Sequence, residues 1–469
     1  MADSLAAAAA TRLVGDHDLR PGARVAFLAG GPGRSASEVA ATQGAVASAA
    51  YGALRAGIVP VMINPLLSPA EREAYLHDVP VDLIVADAAD VARLTDPSGL
   101  AGRRRPELAD VPLGRPMHFT SGTTGRSKGV WAGVLPETDA RDYWRDEQQQ
   151  WTLDSEDVLL NHGPLAHSAP LRFSFLAFLA GADIVFTGSF DADRTATAII
   201  DHAPTVAMAV PTHLERLLNL PEGPPPSSYR MLVHAGSACP PDLKRRIHTW
   251  AGVEHTWEFL GSTEGQFTAC RGTEWEDRPG TLGTARAGRR LHIDDGSLSG
   301  QAGVIWCEAP AVAGFEYFGD PAKTAHAWVT LPGGGRAFTV GDLGWLDEAG
   351  YLYLRGRRTD LIVTGGVNVY PAEVEAELRT CPVVRAAAVF GRDDSHWGAR
   401  VCAAIVLAPD ASCADVTEWA RANMAGYRRP KEITAVDALP LTSNGKVRRD
   451  GLAEWVAEQG RPASSPRPR

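Results

Sequence analysis

The sequence lacks the features that would place the chain in a membrane or on a nucleic acid. No run of apolar residues is long enough to cross a bilayer. The alanine-rich segment of residues 5–10 has neither a basic region before it nor a cleavage site after it, which argues against a signal peptide. The formal net charge of -10 disfavours nucleic acids and anionic membranes as partners. These absences predict a cytoplasmic protein without a membrane or nucleic-acid partner.

Cysteine is scarce, and no two cysteines have the spacing of metal ligands. The six residues are Cys239, Cys270, Cys307, Cys381, Cys402 and Cys413. This scatter predicts buried, reduced thiols rather than metal ligands.

The chain of 469 residues is too long for one hydrophobic core, which predicts two or more domains. Short apolar segments alternate with helical patterns between residues 25 and 259. The predicted strands are 25–28, 59–63, 83–86, 184–186, 206–209, 231–234 and 256–259, and the predicted helices include 37–55 and 69–77. This alternation predicts parallel sheets with helices on their faces.

The pattern changes after about residue 282. Short strands with glycine turns predict a small β-rich subdomain over residues 282–354. A compact α+β segment follows. Its predicted elements are strand 361–364, helix 371–380, and strands 386–390 and 401–406. We place a domain boundary near residues 357–360, which divides the chain into a large domain of residues 1–357 and a small domain of residues 358–469.

The most specific local signal is the run Thr120-Ser-Gly-Thr-Thr-Gly-Arg-Ser-Lys128-Gly129. Small hydroxyl residues and glycines let the main chain approach an anion, and their N–H and O–H groups can hold phosphate oxygens. The Walker A pattern is excluded, because the spacing differs and glycine follows the lysine. A flexible surface loop is the alternative, but so long a match favours a phosphate loop. The predicted ligands are Thr120, Ser121, Gly122, Thr123, Thr124 and Gly125, with Lys128 adding a positive charge.

Several further motifs accompany this loop. They are Pro164-Leu-Ala-His167, Gly261-Ser-Thr-Glu264, Thr339-Val-Gly-Asp342, Gly356-Arg357 with Asp360, Gly365-Gly-Val-Asn-Val-Tyr-Pro371, and Pro440-Leu-Thr-Ser-Asn-Gly-Lys446. Together they make nearly the whole chain resemble the adenylate-forming superfamily of acyl-CoA synthetases, aryl-CoA ligases, luciferases and peptide-synthetase adenylation domains. The resemblance implies an α/β fold with a large N-terminal domain of two doubly wound sheets plus a β-rich subdomain. It also implies a small, mobile α+β C-terminal domain.

The resemblance implies an enzyme that uses ATP and Mg²⁺ to convert a small carboxylic acid to an acyl-AMP. Independently of it, Glu264 suits Mg²⁺, which prefers one or two carboxylates with phosphate oxygens, and Thr263 suits a hydrogen bond to the reacting phosphate. The alternative for this pair is a helix start with a capping hydroxyl. The resemblance assigns Asp342 to the ribose and Arg357 to the nucleotide. It assigns Lys446 to the charge that develops between carboxylate and α-phosphate. Taken alone, these last three would be turn or surface residues.

Other residues are assigned to the adenine and the acyl group. Gly236, Ser237 and Ala238 follow a predicted strand and resemble the loop along the adenine, although many strand-to-helix turns begin in this way. The predicted acyl-pocket residues are His167, Phe173, His234, Phe259 and Gly261. Each of these residue types, taken alone, is more common in a core or on a surface than against a ligand.

The sequence departs from the family pattern at four places. Leu260 replaces the aromatic residue usually found before Gly-Ser-Thr-Glu, so adenine stacking is expected to differ there. Thr359 occupies a hinge position where Asp or Lys is common, and Val367 stands where many members have Glu. The region before residue 25 is shorter than usual. One edge of the first subdomain is then either trimmed or covered by a second copy, as in a homodimer.

The acceptor of the acyl group is the open question. Residues 167–178 contain no Asp or Glu, which disfavours an α-amino acid as substrate, and no carrier-protein domain is fused to the chain. The leading hypothesis is a stand-alone acyl- or aryl-CoA ligase with CoA as the acceptor. One alternative is an adenylating enzyme with another acceptor: a carrier-protein thiol, an amine, or nitrite as in ATP-dependent diazotases. The other is a catalytically silent nucleotide-binding protein, against which the retention of Lys128, Glu264, Asp342 and Lys446 argues.

Lys446 gives a prediction about the two half-reactions. One set of groups cannot suit both transition states, so the small domain is expected to alternate between two orientations. Lys446→Ala should abolish adenylation but still convert a chemically supplied acyl-AMP to product. Thr359→Pro restricts the hinge backbone. If it traps the adenylating orientation, it should still form the acyl-AMP but should not convert a supplied acyl-AMP to product. The measurement is each half-reaction in isolation, and equal slowing of both by Lys446→Ala would refute the alternation.

Overall fold

The computed structural model describes residues 2–28, 35–120, 128–294, 302–357, 360–364, 367–394, 397–442, 447–449 and 451–459. The chain divides into two compact units. The first unit consists of Met1–His292, Trp306–Val340 and Gly350–Leu352, and the second of Ile293–Ile305, Gly341–Ala349 and Tyr353–Arg469. In the described segments, no helix has the length and apolar character needed to cross a membrane.

Helices and strands alternate along most of the described chain. The helices are α1 (Ala2–Gly15), α2 (Ala36–Arg55), α3 (Pro69–Asp78), α4 (Ala88–Thr95), α5 (Glu137–Trp151), α6 (Ser168–Ala180), α7 (Ala192–His202), α8 (Pro211–Leu218), α9 (Pro241–Ala251), α10 (Gly272–Asp277), α11 (Pro321–Ala327), α12 (Pro371–Arg379), α13 (Cys413–Asn423) and α14 (Leu452–Gln459). The strands are β1 (Arg24–Phe27), β2 (Val59–Met62), β3 (Leu83–Val85), β4 (Met117–Thr120), β5 (Lys128–Trp131), β6 (Val158–Asn161), β7 (Asp183–Phe186), β8 (Val206–Ala209), β9 (Met231–His234), β10 (Thr256–Glu258), β11 (Thr268–Arg271), β12 (Thr284–Ala285), β13 (Arg290–Asp294), β14 (Gly303–Glu308), β15 (Glu316–Tyr317), β16 (Trp328–Thr330), β17 (Arg336–Phe338), β18 (Asp342–Leu346), β19 (Leu352–Arg357), β20 (Ile362–Thr364), β21 (Val367–Val369), β22 (Val384–Asp394), β23 (Gly398–Leu407) and β24 (Glu432–Ala435).

The first sheet has the strand order β15-β5-β4-β2-β1-β3. Strands β1 to β4 are parallel, as predicted, and every residue of β2 is buried, as in a sheet covered on both faces. The edge formed by β5 and β15 is antiparallel, which the sequence analysis did not predict. Parallel neighbours need a crossover of about a dozen residues or more, and the connection between β4 and β5 is shorter than that.

The second sheet has the order β12-β11-β10-β9-β8-β6-β7. Its strands from β6 to β10 are parallel, as predicted. Strands β11 and β12 extend it in the antiparallel sense. The polypeptide therefore turns back on itself directly after β10, at the position of the Thr-Glu motif.

Aromatic side chains of α5 and α6 anchor the core of the first unit. Trp144, Trp151 and Phe173 are each at most 1% exposed. The Trp151 ring centroid lies 5.3 Å from that of Phe173 and 5.6 Å from that of Phe259, in tilted arrangements that aromatic rings favour. Trp144 donates its indole N–H to the carbonyl of Pro112 at 2.9 Å, so its polar group is satisfied. Helix α5 was not predicted from the sequence.

The alanine-rich start of the chain is a packed helix. Ala6, Ala9 and Ala10 of α1 are fully buried, and α1 lies against α2. The two backbones approach so closely that a Cβ on Gly52 would lie 2.0 Å from the Ala6 carbonyl oxygen. The short segment before residue 25 is therefore part of the first core.

The second unit contains the C-terminal sheet, in the order β21-β20-β23-β22, with β24 parallel to β23. The predicted helix 371–380 and strand 361–364 correspond to α12 and β20. Strands β22 and β23 are longer than the predicted 386–390 and 401–406. Strand β14 belongs to both units, since its last residues pair with β17 in the first and its first residues pair with β18 in the second. The domain boundary near residue 357 stays a prediction.

All six cysteines have free thiols, as predicted. Cys270, Cys307, Cys381 and Cys402 are buried. Cys239 and Cys413 are only half-buried, so the prediction of burial is wrong for these two.

The packing of α1 on α2 is tested by two glycine substitutions in α2. Gly52→Ala would press a methyl group against the Ala6 carbonyl, so the free energy of unfolding should fall by about 1–3 kcal/mol. Gly44→Ala would meet only an ordinary contact, 3.4 Å from the Phe186 ring, and alanine's helix preference should raise the free energy of unfolding by up to about 1 kcal/mol. Urea denaturation measures both, and an equal effect of the two would contradict the close approach of these helices.

Candidate active site

The phosphate loop connects two antiparallel strands. Thr120 ends β4 and Lys128 begins β5, and the two residues are partners in the sheet register. The two ends of the loop are therefore held side by side. The other predicted ligands, Ser121, Gly122, Thr123, Thr124 and Gly125, lie outside the described residues.

Lys128 is paired with a carboxylate at the start of α11. Its Nζ lies 3.3 Å from Oδ2 of Asp320. Asp320 caps α11 by accepting a hydrogen bond from the main-chain N–H of Lys323 at 3.0 Å, and this bond, together with the Lys128 ammonium, lowers the pKa of Asp320. Burial lowers the pKa of Lys323, although the nearby carboxylates of Glu264 and Asp320 oppose the shift. Two lysines and two carboxylates therefore occupy one corner of the first unit.

Thr263 and Glu264 lie in the middle of a tight turn. The turn runs from Ser262 to Gly265, and the N–H of Ser262 donates to the Gly265 carbonyl at 2.8 Å. It links β10 to the antiparallel β11. The pair is therefore not at a helix start, and the alternative of a capping motif is wrong.

The Glu264 carboxylate is buried and held by a tyrosine. It is 3% exposed, and its Oε1 accepts a hydrogen bond from the Tyr317 hydroxyl at 2.8 Å. The Lys323 ammonium lies 4.0 Å from the centroid of the Tyr317 ring. Tyr317 belongs to β15, which pairs with β5, the strand that begins with Lys128. The antiparallel sheet edge thus brings the phosphate-loop lysine and the predicted metal ligand together.

A small cavity of about 30 Å³ lies beside Thr263. Its lining includes Arg115, His118, Tyr143, Trp144, Ser168 and Arg172. The Nε2 of His118 lies 3.2 Å from the Leu165 carbonyl oxygen, and burial lowers the pKa of His118 to about 4. The ring is therefore neutral near pH 7. The only full charges on this wall are those of the two arginines, among the residues the structure describes.

None of the predicted pocket residues is among those that line this cavity. His167 is the N-cap residue of α6 and is half-buried. Phe173 is 1% exposed and packs in the core, whereas Arg172 lines the cavity, because successive helical side chains point about 100° apart. Phe259 is also a core residue, and its ring centroid lies 5.9 Å from the Arg172 guanidinium carbon. Gly261 packs closely on the Phe259 ring, which a Cβ would approach to 3.0 Å.

His234 occupies a buried polar cluster rather than the cavity wall. It is fully buried, and its Nε2 lies 2.8 Å from the Lys244 ammonium. Lys244 also donates to Glu258 at 2.7 Å. Burial, together with the Lys244 charge, lowers the pKa of His234 well below its usual value. A neutral ring that accepts from Lys244 holds the ends of β9 and β10 together.

The remaining predicted residues are placed separately. Gly236, Ser237 and Ala238 form a loop after β9, in which Gly236 has a φ of +96° and lies exposed with Ala238. In the second unit, Asp342 begins β18 and is buried, and Arg357 ends β19. Lys446 lies outside the described residues.

Comparison with known proteins identifies the family. The family model described as AMP-binding enzyme matches residues 116–315, and the one described as AMP-binding enzyme C-terminal domain matches residues 373–446. The chain is 33% identical to the indoleacetate–CoA ligase of Aromatoleum aromaticum, over 78% of this chain and 72% of the relative. It is 31% identical to the feruloyl-CoA synthase of an Amycolatopsis species, over 92% of this chain and 88% of the relative.

This chain belongs to the AMP-binding enzymes. ATP-bound MatB from Rhodopseudomonas palustris has the same fold, with a TM-score of 0.80 and 27% identity over 97% of this chain and 92% of that chain. The predicted family, α/β fold class and enzyme class are confirmed, and the chain is an AMP-forming acid–thiol ligase of this family.

The structure also shows site residues that the sequence analysis missed. Arg115 donates hydrogen bonds to the carbonyls of Glu264 and Gly314, both at 3.0 Å. Tyr317, Lys323 and Arg172 were not singled out either. Arg172 had a signal in the sequence, since it is the only charged residue in α6, a helix that is otherwise largely apolar. Tyr317 and Lys323 had none, because their role depends on the pairing of β15 with β5.

The buried histidines of the first unit give a pH prediction. Burial lowers the pKa of His118 and of His162 to about 4, and that of His213 to about 3. An unfolded chain binds these protons near pH 6.5. Between the two pKa values the unfolded state therefore binds more protons, so stability is full above about pH 6.5 and is lost as the pH falls.

The free energy of unfolding, measured by urea denaturation, should thus be lower at pH 5.5 than at pH 7.5. His162→Leu removes one titrating group and should make this decline shallower. A wild-type enzyme that gained stability on acidification, or a variant with an unchanged decline, would contradict the buried neutral state.

Proposed function

We propose that this enzyme uses ATP and Mg²⁺ to activate a small carboxylic acid and then transfers the acyl group to CoA. The observation that carries the proposal is the corner where Glu264, Tyr317, Lys128 and Lys323 meet, beside the cavity at Thr263. It combines a buried carboxylate with two cations next to space for an acid. The relatives' names support CoA as the acceptor.

Glu264 fits a magnesium ion that is bound mainly through phosphates. Mg²⁺ keeps several waters and takes one or two protein carboxylates plus phosphate oxygens. Glu264 is buried, and its orientation is held by Tyr317. A single carboxylate that one neutral hydroxyl holds still has lone pairs for a cation. When bound, the ion would offset the charge of the phosphates.

The two lysines would act on the phosphate chain. Lys128 is held at the start of β5 by Asp320, and Lys323 lies over the Tyr317 ring. Fixed positive charges in a partly buried site stabilise charge that develops in a transition state without having to reorganise. Thr120, the register partner of Lys128, would contribute a hydroxyl or main-chain donor to the same phosphates.

The reaction has two steps. In the first, an oxygen of the substrate carboxylate attacks the α-phosphorus of ATP, the bond to the β-phosphate oxygen breaks, and pyrophosphate leaves. In the second, the CoA thiolate attacks the acyl carbon, AMP leaves with its electron pair, and the thiol proton passes to solvent. The roles that the family resemblance assigns are kept in this proposal. Asp342 would bind the ribose, Arg357 would contact the nucleotide, and Lys446 would stabilise the charge of the first transition state.

We expect the enzyme to release pyrophosphate and AMP from ATP when Mg²⁺, CoA and its cognate acid are present. Coupled detection of pyrophosphate, with mass spectrometry of the product, makes the measurement across a panel of aliphatic, aromatic and dicarboxylic acids. Glu264→Gln should lower the rate of pyrophosphate release by at least about 100-fold, since it removes the negative charge that would bind the metal.

Tyr317→Phe keeps the ring but not the hydrogen bond. Its rate of pyrophosphate release should lie between those of Glu264→Gln and the wild type. Release of ADP and orthophosphate would overturn the adenylation mechanism. Product formation with nitrite and an aryl amine instead of CoA would overturn the assignment of CoA as the acceptor.

A further inference from the structure

Arg172 and Arg115 bring two guanidinium groups to the wall of the cavity beside Thr263. Arg172 is the fifth residue of α6, and its side chain is 11% exposed. Arg115 gives two of its N–H groups to the neutral main-chain carbonyls of Glu264 and Gly314. Neither of these contacts offsets its charge. The cavity is thus small, and its wall combines aromatic side chains with two positive charges.

A buried network behind Arg172 does not supply enough negative charge. Glu147, which is 1% exposed, accepts a hydrogen bond from Arg286 at 2.5 Å, while the Nε of Arg172 lies 3.6 Å from its other oxygen. Burial would raise the pKa of Glu147, but Arg286 and Arg172 outweigh it and lower the pKa. One carboxylate therefore faces two arginines.

The second carboxylate of the network is also shared. Asp146 lies 2.9 Å from Arg286 and 3.1 Å from Arg289. Within the described part of the chain, these contacts join three arginines, Arg172, Arg286 and Arg289, to two carboxylates. The Nε of Arg172 and Oε2 of Glu147 are both buried without a hydrogen-bond partner among the described residues. An excess of positive charge that is buried away from water costs free energy unless an anion binds to it.

We infer that this cavity binds a second anionic group of the substrate, and that the acid activated is a short dicarboxylic acid. The inference rests on the proposed function. Guanidinium groups recognise carboxylates through planar, charge-assisted pairs of hydrogen bonds. Thr263 lies on the same cavity, so one carboxylate of the acid reaches the reacting phosphate at Thr263 while the other meets Arg172 and Arg115.

The size of the cavity limits the length of the acid. A volume of about 30 Å³ holds only one or two waters. Trp144 and Tyr143 close it, and Trp144 is itself fixed by its hydrogen bond to Pro112. Long-chain and bulky aromatic acids would have to displace these core residues. The space for one or two waters matches a single carboxylate group, so the cavity suits the charged end of a short acid rather than a long apolar chain.

The phosphates of ATP are the other source of negative charge. At the phosphate-loop corner, Lys128 and Lys323 already supply two cations for these phosphates. Arg172 is on α6, and its ring neighbour is Phe259 of the core, not a residue of that corner. The geometry therefore favours the acid as the partner of Arg172.

The test is a comparison of acids matched in carbon number: malonate against propanoate, and succinate against butanoate. Each is assayed by pyrophosphate release with the full-length enzyme. The wild type should favour at least one dicarboxylate by about tenfold or more in kcat/KM, as expected for a charge-assisted contact. Arg172→Met should lower that preference by about 10- to 100-fold, mainly because KM for the dicarboxylate rises. The kcat/KM for the monocarboxylate should stay within about threefold of the wild-type value. Arg172→Lys, which keeps the charge, should retain part of the preference.

Arg230→Met is the matched control for a general loss of stability. It breaks another ion pair of the first unit, with the buried Asp157, away from the cavity, and it should leave the preference unchanged. If Arg172→Met does not fold, thermal melting of the wild type with a non-hydrolysable ATP analogue replaces it. Malonate or succinate should then raise Tm, and propanoate or butanoate should not.

A wild type that favours the monocarboxylates, or equal losses for both acids in Arg172→Met, would overturn the inference. Pyrophosphate release with a larger monocarboxylic acid alone would also overturn it, while leaving the proposed function intact. Release with nitrite and with no carboxylic acid would overturn both.

Discussion

The pair of hydrogen bonds from Arg115 to the carbonyls of Glu264 and Gly314 holds the site of the first unit together. Arg115 precedes β4, Glu264 lies in the turn after β10, and Gly314 precedes β15. One planar guanidinium therefore ties a strand of the first sheet to a turn of the second sheet and to the segment that completes the first sheet's edge. This tie acts together with the pairing of β15 and β5, which brings the Tyr317 hydroxyl within hydrogen-bond distance of Glu264.

The core of the first unit contains a buried network of arginines and carboxylates around Glu147. Arg286 is 2% exposed, and buried ion pairs seldom stabilise a fold more than apolar residues of the same shape would. Removing one partner, by contrast, leaves a charge uncompensated and is strongly destabilising. The network around Glu147 is thus poor as a source of stability. Its placement behind the cavity agrees with the proposed binding of an anionic group at Arg172.

Much of the fold followed from the sequence because its signals are local. The strands from β1 to β10 that were predicted lie within one or two residues of their observed bounds, since four apolar residues between helical patterns are a strong signal for a buried parallel strand. The antiparallel edges were missed, because strand direction depends on the length of the connection and on the free sheet edge it meets. Helix α5 was missed although Trp144 and Trp151 anchor the core.

The sequence by itself determined the family, the α/β fold and the residue types at the phosphate loop and the Thr-Glu turn, because each is carried by a short run of neighbouring residues. Only the tertiary structure decided which side chains share a site. It removed His234 and Phe173 from the cavity wall, since their hydrogen bonds and packing lie within the core. It added Arg115, Arg172 and Tyr317, because contacts between residues distant in the chain depend on sheet order and helix facing, which no local pattern records.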